Sequence, residues 1–350
     1  MIMKFLKWLA PIILLLVAVY FTGPKVETPE LNKNLPEVTH HLYQLEADIE
    51  AKEKAVGNVK PDNEARIVWY DSTYQKTPYS LIYLHGFSAS QKEGFPLHEE
   101  IAQRYGMNLY LARLHSHGVE SKEAMLDLTA ENYVNSAKEA IAIGEQLGEK
   151  TILFATSTGG TLSLYLAGGD NNIAGLILYS PNIKVYQPEA FILNKHWGLQ
   201  IARIVQGSDY MEWEISPERK PYWQNKYRLE AITQLQELLD VTMTEETFKQ
   251  VTQPTFLGYY YKNDSLQDHT VSVKAELAMF DQLGTPNSLK RKVAFPEAGH
   301  HVIGSSLTSE DLPTVRKETY KFIEEILKIK PAPITKTDSA GSAEPALNPA

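Results

Sequence analysis

Residues 152–160 read Ile152-Leu153-Phe154-Ala155-Thr156-Ser157-Thr158-Gly159-Gly160. An apolar run of strand length ends in a small-x-Ser-x-Gly turn, and the apolar Leu162, Leu164, Tyr165 and Leu166 follow on a helix. A serine on such a strand–turn–helix bend is held in a strained conformation, its hydroxyl exposed above the sheet. Small residues two before it (Ala155) and two after it (Gly159) let strand and helix approach closely. The start of the new helix supplies partial positive charge and free backbone N–H groups for a developing oxyanion. Ser, Thr and Gly also build ordinary turns between strand and helix, so the segment needs support from elsewhere in the chain.

Outward from this bend, strand and helix signals alternate from Ala65 onward. Strands are expected at 66–70, 80–84, 108–111, 151–155, 175–179, 255–261 and 290–295. Several are near-continuous apolar runs, the pattern of strands covered by helices on both faces. A helix is expected over 129–147, where Tyr133, Ala137, Ile141 and Gly144 keep close to helical spacing. Another is expected over 312–327, through Val315, Tyr320, Phe322 and Ile326. The alternation predicts an α/β architecture over 64–330, a mainly parallel central sheet flanked by helices. It breaks at 182–253, which carries Trp197, Tyr210, Trp213, Tyr222, Trp223 and Tyr227 and becomes helical at 229–239. We read that segment as a lid inserted between two strands of the main sheet. Residues 331–350, rich in Pro, Ala, Ser and Thr, are expected to form a disordered tail.

The 350 residues, 43% hydrophobic and 22% charged, suffice for a large buried core. A net charge of −9 offers no basic footprint for nucleic acid. The chain has no cysteine, which excludes disulfides, thiolate nucleophiles and Cys-ligated zinc. At the N-terminus, Lys4 and Lys7 precede an apolar stretch over 8–21 broken only by Pro11. The stretch is short for a spanning helix, but Phe5 and Leu6 extend it and no A-x-A-like cleavage site follows. Residues 1–24 are therefore expected to be an uncleaved membrane anchor, with a cleaved signal or a buried helix as the alternatives. Lysines on the N-terminal side would leave the body outside the cytoplasm. Residues 25–63 are expected to be a polar linker and a short helix over 40–54.

Three further segments bear on Ser157. Leu81-Ile82-Tyr83-Leu84-His85-Gly86-Phe87 is a strand ending in His-Gly-aromatic. Leu114-His115-Ser116-His117-Gly118 follows strand 108–111; its two histidines lack an acidic partner at ligand spacing, so no metal is expected. Glu297-Ala298-Gly299-His300-His301-Val302-Ile303 follows the last strand, and Asp264 and Asp268 follow strand 255–261. Serine, acid and histidine thus occur in the order of a Ser–acid–His triad carried by a strand-turn-helix serine.

Over about 80–327 these elements resemble the α/β-hydrolase superfamily, particularly its carboxylesterase and monoacylglycerol-lipase-like members. The resemblance implies Ser157 as nucleophile and an oxyanion hole made by the backbone amides of Phe87 and Thr158, with His85 shaping the loop. Ala155 stands where the family usually has its first glycine, which keeps the small side chain. Asp268-His269-Thr270-Val271-Ser272 is similar to the family's Asp-x-x-Val-Pro turn, whereas Asp264 sits in the turn Lys262-Asn263-Asp264-Ser265. Asp268 is therefore the expected acid and Asp264 its alternate. His301-Val302-Ile303 is similar to the His-Val-Ile form of these esterases, and Gly299-His300 to the commoner Gly-His form. His301 is the expected base and His300 its alternate.

The implied activity is cleavage of a small-molecule carboxylic ester through an acyl-enzyme, without cofactor. The aromatic lid favours an apolar acyl chain. Two rivals stay open. A serine peptidase of the same fold would need an acid to hold the substrate amine, for which Glu212, Glu214 and Glu218 are candidates. A non-catalytic binding protein on a decayed hydrolase fold would not react with a fluorophosphonate.

Overall fold

A computed structural model describes residues 2–71 and 74–333, with side chains from Pro11 on. The first half of the chain forms α1 (Ile2–Phe21), α2 (Leu42–Val56), β1 (Arg66–Val68), β2 (Thr77–Leu84), α3 (Leu97–Tyr105), β3 (Asn108–Leu111), α4 (Ala130–Leu147), β4 (Gly148–Thr156), α5 (Thr158–Ala167) and β5 (Ile173–Tyr179). Then come α6 (Gly198–Gln206), β6 (Tyr210–Glu212), β7 (Lys226–Arg228), α7 (Leu229–Thr242) and α8 (Glu245–Gln250). The chain continues through β8 (Thr255–Tyr259), β9 (Tyr261–Asn263), β10 (Leu266–Gln267), α9 (Val273–Gln282), β11 (Lys290–Ala294) and α10 (Leu312–Glu325).

Seven strands make one sheet in the order β1-β3-β2-β4-β5-β8-β11. Only the β1–β3 pair is antiparallel; the other neighbours run parallel. β4 shows why its sequence is continuously apolar. Leu153 and Ala155 join one core cluster with Ile82, Leu84 and Leu178, while Ile152 and Phe154 join the other with Leu81, Tyr83 and Phe256. Both faces are covered, so neither alternate position can be polar. α4 starts at a reciprocal cap in which Thr129 and Asn132 each satisfy the other's backbone amide.

The strand expected over 255–261 stops at Tyr259, and Tyr261–Asn263 turns away to pair with β10 as a small hairpin. Between β5 and β8 the chain forms α6, the β6–β7 hairpin, α7 and α8. Because β4, β5, β8 and β11 are parallel, the loops that follow them open at one edge of the sheet. That edge is where an open parallel sheet binds ligands.

The expected membrane anchor does not hold. Among the described residues, no helix is long and apolar enough to cross a membrane. The location of the body outside the cytoplasm rested on that anchor and falls with it. The end of α1 instead meets the segment before α6: Trp197 Nε1 donates to Val19 O at 3.1 Å and His196 Nδ1 to Gly23 O at 2.6 Å. The stretch read as a linker lies along the body, with Leu31, Leu35 and Val38 packed on the core and Lys138 donating to Asn32 Oδ1 at 2.8 Å. Of the tail expected to be disordered, residues 334–350 lie outside the described residues.

Candidate active site

Ser157 follows directly on β4 with φ 54° and ψ −121°, a backbone conformation that L-residues rarely adopt. Such a residue costs on the order of 1–3 kcal/mol and persists only where its surroundings over-determine it. Here the Ser157 amide donates to Tyr179 O at 2.9 Å, and its carbonyl accepts from Gly160 at 2.8 Å and Asn182 at 2.9 Å. Gly159 lets α5 leave immediately, because a Cβ there would lie 2.0 Å from the Leu84 carbonyl oxygen.

The loop after β2 comes to the same place. A Cβ on Gly86 would lie 3.0 Å from that of Ser157, so only glycine lets the loop press against the serine. His85 braces it, with Nδ1 on Gly86 O at 2.9 Å and Nε2 accepting from Leu114 N at 3.1 Å. Burial pushes the His85 imidazole down to about 4, so it is neutral near pH 7 and holds that pattern. The amides of Phe87 and Thr158 donate to no acceptor among the described residues. The Phe87 ring stands edge-on to Tyr227 at 5.2 Å.

After β8 and β11, His301 Nδ1 meets Asp268 Oδ2 at 2.5 Å. Asp268 Oδ1 accepts from the amides of Thr270 at 2.7 Å and Val271 at 3.2 Å. Burial opposes the Asp268 charge, but His301 and these hydrogen bonds outweigh it and hold the carboxyl below its ordinary value. For His301 burial likewise opposes the charge, and Asp268 reverses it, leaving the imidazole above its ordinary value. Its Nε2 is buried with no partner among the described residues. The alternates take no part in this hydrogen bond. Asp264 accepts from Tyr261 Oη at 2.8 Å in the exposed hairpin, and His300 turns its Nδ1 to the Val302 amide at 2.9 Å. Burial and the neighbouring His301 pull His300 down to about 4.

No family model and no curated protein matches the chain. Solved structures do. A metagenome-derived lipolytic enzyme of the LipS and LipT pair superposes with a TM-score of 0.57 at 18% identity, over 76% of this chain and 99% of that one. The monoacylglycerol lipase of Paleococcus ferrophilus gives 0.56 at 14%, over 76% and 98%. A soluble variant of the Saccharomyces cerevisiae monoglyceride lipase gives 0.55 at 13%, over 75% and 91%. The chain has the α/β-hydrolase fold.

Two residues near this candidate site were not anticipated. Glu93 is fully buried behind the Gly86 loop, where it accepts from the Gly86 amide at 2.6 Å and from Tyr83 Oη at 3.1 Å. Burial raises its carboxyl to about 7. Arg219 lies in the turn before β7, its guanidinium 5.1 Å from the centre of the Trp223 ring and its Nε buried without a partner. Neither carries a spacing signal: Glu93 follows Lys92 in a single 3-10 turn, and Arg219 lies between Glu218 and Lys220. The turn that bears Arg219 is tied to the Gly86 loop by Gln224 N donating to Ser88 O at 2.7 Å. Of the acids considered for binding an amine, Glu212 pairs with Lys226 at 2.8 Å on an exposed hairpin, and Glu218 is exposed.

Proposed function

We propose that this α/β-hydrolase is a serine esterase acting on carboxylic esters through an acyl-enzyme. One observation carries the reading. A serine strained on the bend after the central strand shares a sheet edge with a histidine whose Nδ1 is bound to a buried aspartate at 2.5 Å. In this reading Asp268 keeps the proton of His301 on Nδ1, which frees Nε2 to take the Ser157 proton as Oγ attacks the ester carbonyl. The amides of Phe87 and Thr158 hold the oxyanion, a donor being worth about 2.7–4 kcal/mol in such sites. His301 then protonates the departing alcohol, and water, activated by the same imidazole, releases the acid. Structural neighbours described as lipolytic enzymes and monoacylglycerol lipases support ester chemistry. Phe87 and Tyr227 support an apolar stem on the acyl group. Residues 182–253 act as the lid, a role supported by the Gln224–Ser88 tie to the oxyanion loop.

The test is labelling of the purified chain with a fluorophosphonate and location of the tag by mass spectrometry. Ser157 should carry it, and Ser157→Ala should not react or hydrolyse short p-nitrophenyl esters. A chain that stays unlabelled is a binding protein and sinks the proposal. Turnover of aminoacyl amides in preference to esters would move it to the peptidases.

A further inference from the structure

Arg219 differs from the other arginines of this chain. Arg66, Arg104, Arg113, Arg203, Arg228, Arg291 and Arg316 each pair with a carboxylate at 2.6–2.8 Å. Among the described residues Arg219 has no such partner, and its Nε is buried without any acceptor. A guanidinium is rarely left so, because its desolvation is not returned unless an anion meets its donors. Nor is the side chain loose. It lies over the Trp223 ring, and the Tyr222 and Trp223 amides both close the turn on the Arg219 carbonyl, at 2.9 and 3.2 Å. Lys60 Nζ and Asn63 Nδ2 brace the same turn at Trp223 O and Pro221 O.

Its charge is felt by two groups, Glu93 behind the Gly86 loop and His300 beside His301. The turn that carries it is tied to the Gly86 loop, where Gln224 N donates to Ser88 O at 2.7 Å. Glu93 does not neutralise it well: burial raises that carboxyl to about 7, and its hydrogen bonds go to Gly86 and Tyr83. The turn beside the Gly86 loop thus carries a guanidinium that, among the described residues, no carboxylate meets at hydrogen-bond distance. That is the opposite sign from the one an amine-binding peptidase would need.

We propose that Arg219 anchors a carboxylate borne by the substrate, so that the ester cleaved at Ser157 is anionic. The inference rests on the esterase reading and narrows its substrate class. A planar guanidinium with free donors matches a carboxylate in two parallel hydrogen bonds, a geometry that lysine cannot reproduce. One unpaired cation calls for one negative charge, at the far end of a short acyl stem from the scissile carbonyl.

The experiment compares the mono-p-nitrophenyl ester of glutaric acid with p-nitrophenyl valerate, which matches it in length but lacks the charge. The full chain should give a higher kcat/KM on the glutarate half-ester. In Arg219→Gln the ratio of the two kcat/KM values should fall at least tenfold, mostly through KM, and Arg219→Lys should keep only part of it. A smaller fall in Arg219→Gln overturns the proposal while leaving the esterase reading intact. Absence of turnover on both esters by the unaltered chain overturns both. Should the variants fail to fold, the unaltered chain still decides. Glutarate should slow fluorophosphonate labelling of Ser157 at concentrations where glutaramide does not, and equal protection by the two rejects a charge-reading site.

Discussion

His301 can serve as a base only while it is neutral, and its environment sets the pH at which that holds. Asp268 lifts the imidazole above its ordinary value against the pull of burial. Turnover should therefore fall on the acid side as His301 gains a proton, at a pH above that of an unperturbed histidine. Asp268→Asn removes the lifting charge and leaves burial dominant. The acid limb of kcat/KM should then move to lower pH, with kcat down by about 10⁴-fold from the wrong tautomer. A profile measured over about pH 4 to 9 checks this, and an unmoved limb would remove Asp268 from the pair. Glu93 gives a second titration with a different readout. Its carboxyl is raised from 4.5 to about 7 by burial, so the folded chain prefers it protonated. The stability it contributes is complete below the unfolded value and is lost as the pH rises through about 7. The difference is on the order of 3 kcal/mol. Glu93→Gln, which can still accept from the Gly86 amide but cannot ionise, should gain stability relative to the natural chain between about pH 5 and 8 in urea melts. A gap that does not change with pH would mean Glu93 stays in one protonation state throughout.

At the scale of elements, the bend between β4 and α5 has almost no tolerance. Gly159→Ala would place a methyl group 2.0 Å from a backbone oxygen of β2, and a strand bonded on both sides cannot yield. α5 must shift instead. We expect a loss of about 1–3 kcal/mol in thermal unfolding, together with slower fluorophosphonate labelling, because α5 begins at Thr158. Unchanged labelling would show that the bend is not strained by its neighbour. This same bend was legible in the sequence because one physical cause, burial on both faces, wrote an unbroken apolar run from Ile152 to Ala155. The 255–261 strand misled for a related reason. Tyr259, Tyr260 and Tyr261 look like strand residues, but pairing with β11 ends at Ala294, and Asp268 N caps Tyr260 O instead. Composition alone left Asp264 and Asp268 equivalent; the resemblance favoured Asp268, and it is Asp268 that meets His301. Glu93 and Arg219 left no trace in the sequence. Their character comes from burial and from contacts made across the fold, which no local spacing encodes.

For the whole molecule, the N-terminal region divides into two parts that hydropathy alone does not separate. The side chains of α1 from Ile12 to Leu16 and at Val17, Val19, Tyr20 and Phe21 remain exposed, and its end is held by the hydrogen bonds of Val19 and Gly23 to Trp197 and His196. Residues further on behave as a strap. Leu31, Leu35 and Val38 pack on the core, and Lys33 Nζ reaches Gln250 Oε1 at 2.8 Å at the end of α8. Among the described residues, removing residues 1–23 gives up the two hydrogen bonds to Trp197 and His196, worth about 2 kcal/mol together, and the edge contacts of Tyr20 and Phe21 with His196. Extending the deletion through residue 39 also removes Leu31, Leu35 and Val38 and bares the core surface they cover, which adds about 3–5 kcal/mol. At about 2–4 °C per kcal/mol, the first truncation should lower the melting temperature by several degrees and the second by more than twice as much. Calorimetry on both truncated chains reads the difference. If the two melt together, the strap contributes nothing to the folded body and its packing on the core is incidental. If the second melts far lower and also labels poorly at Ser157, the strap supports α5 behind Ser157, since Lys33 also donates to the carbonyl of Gly168 at its end and lies over the Tyr165 ring.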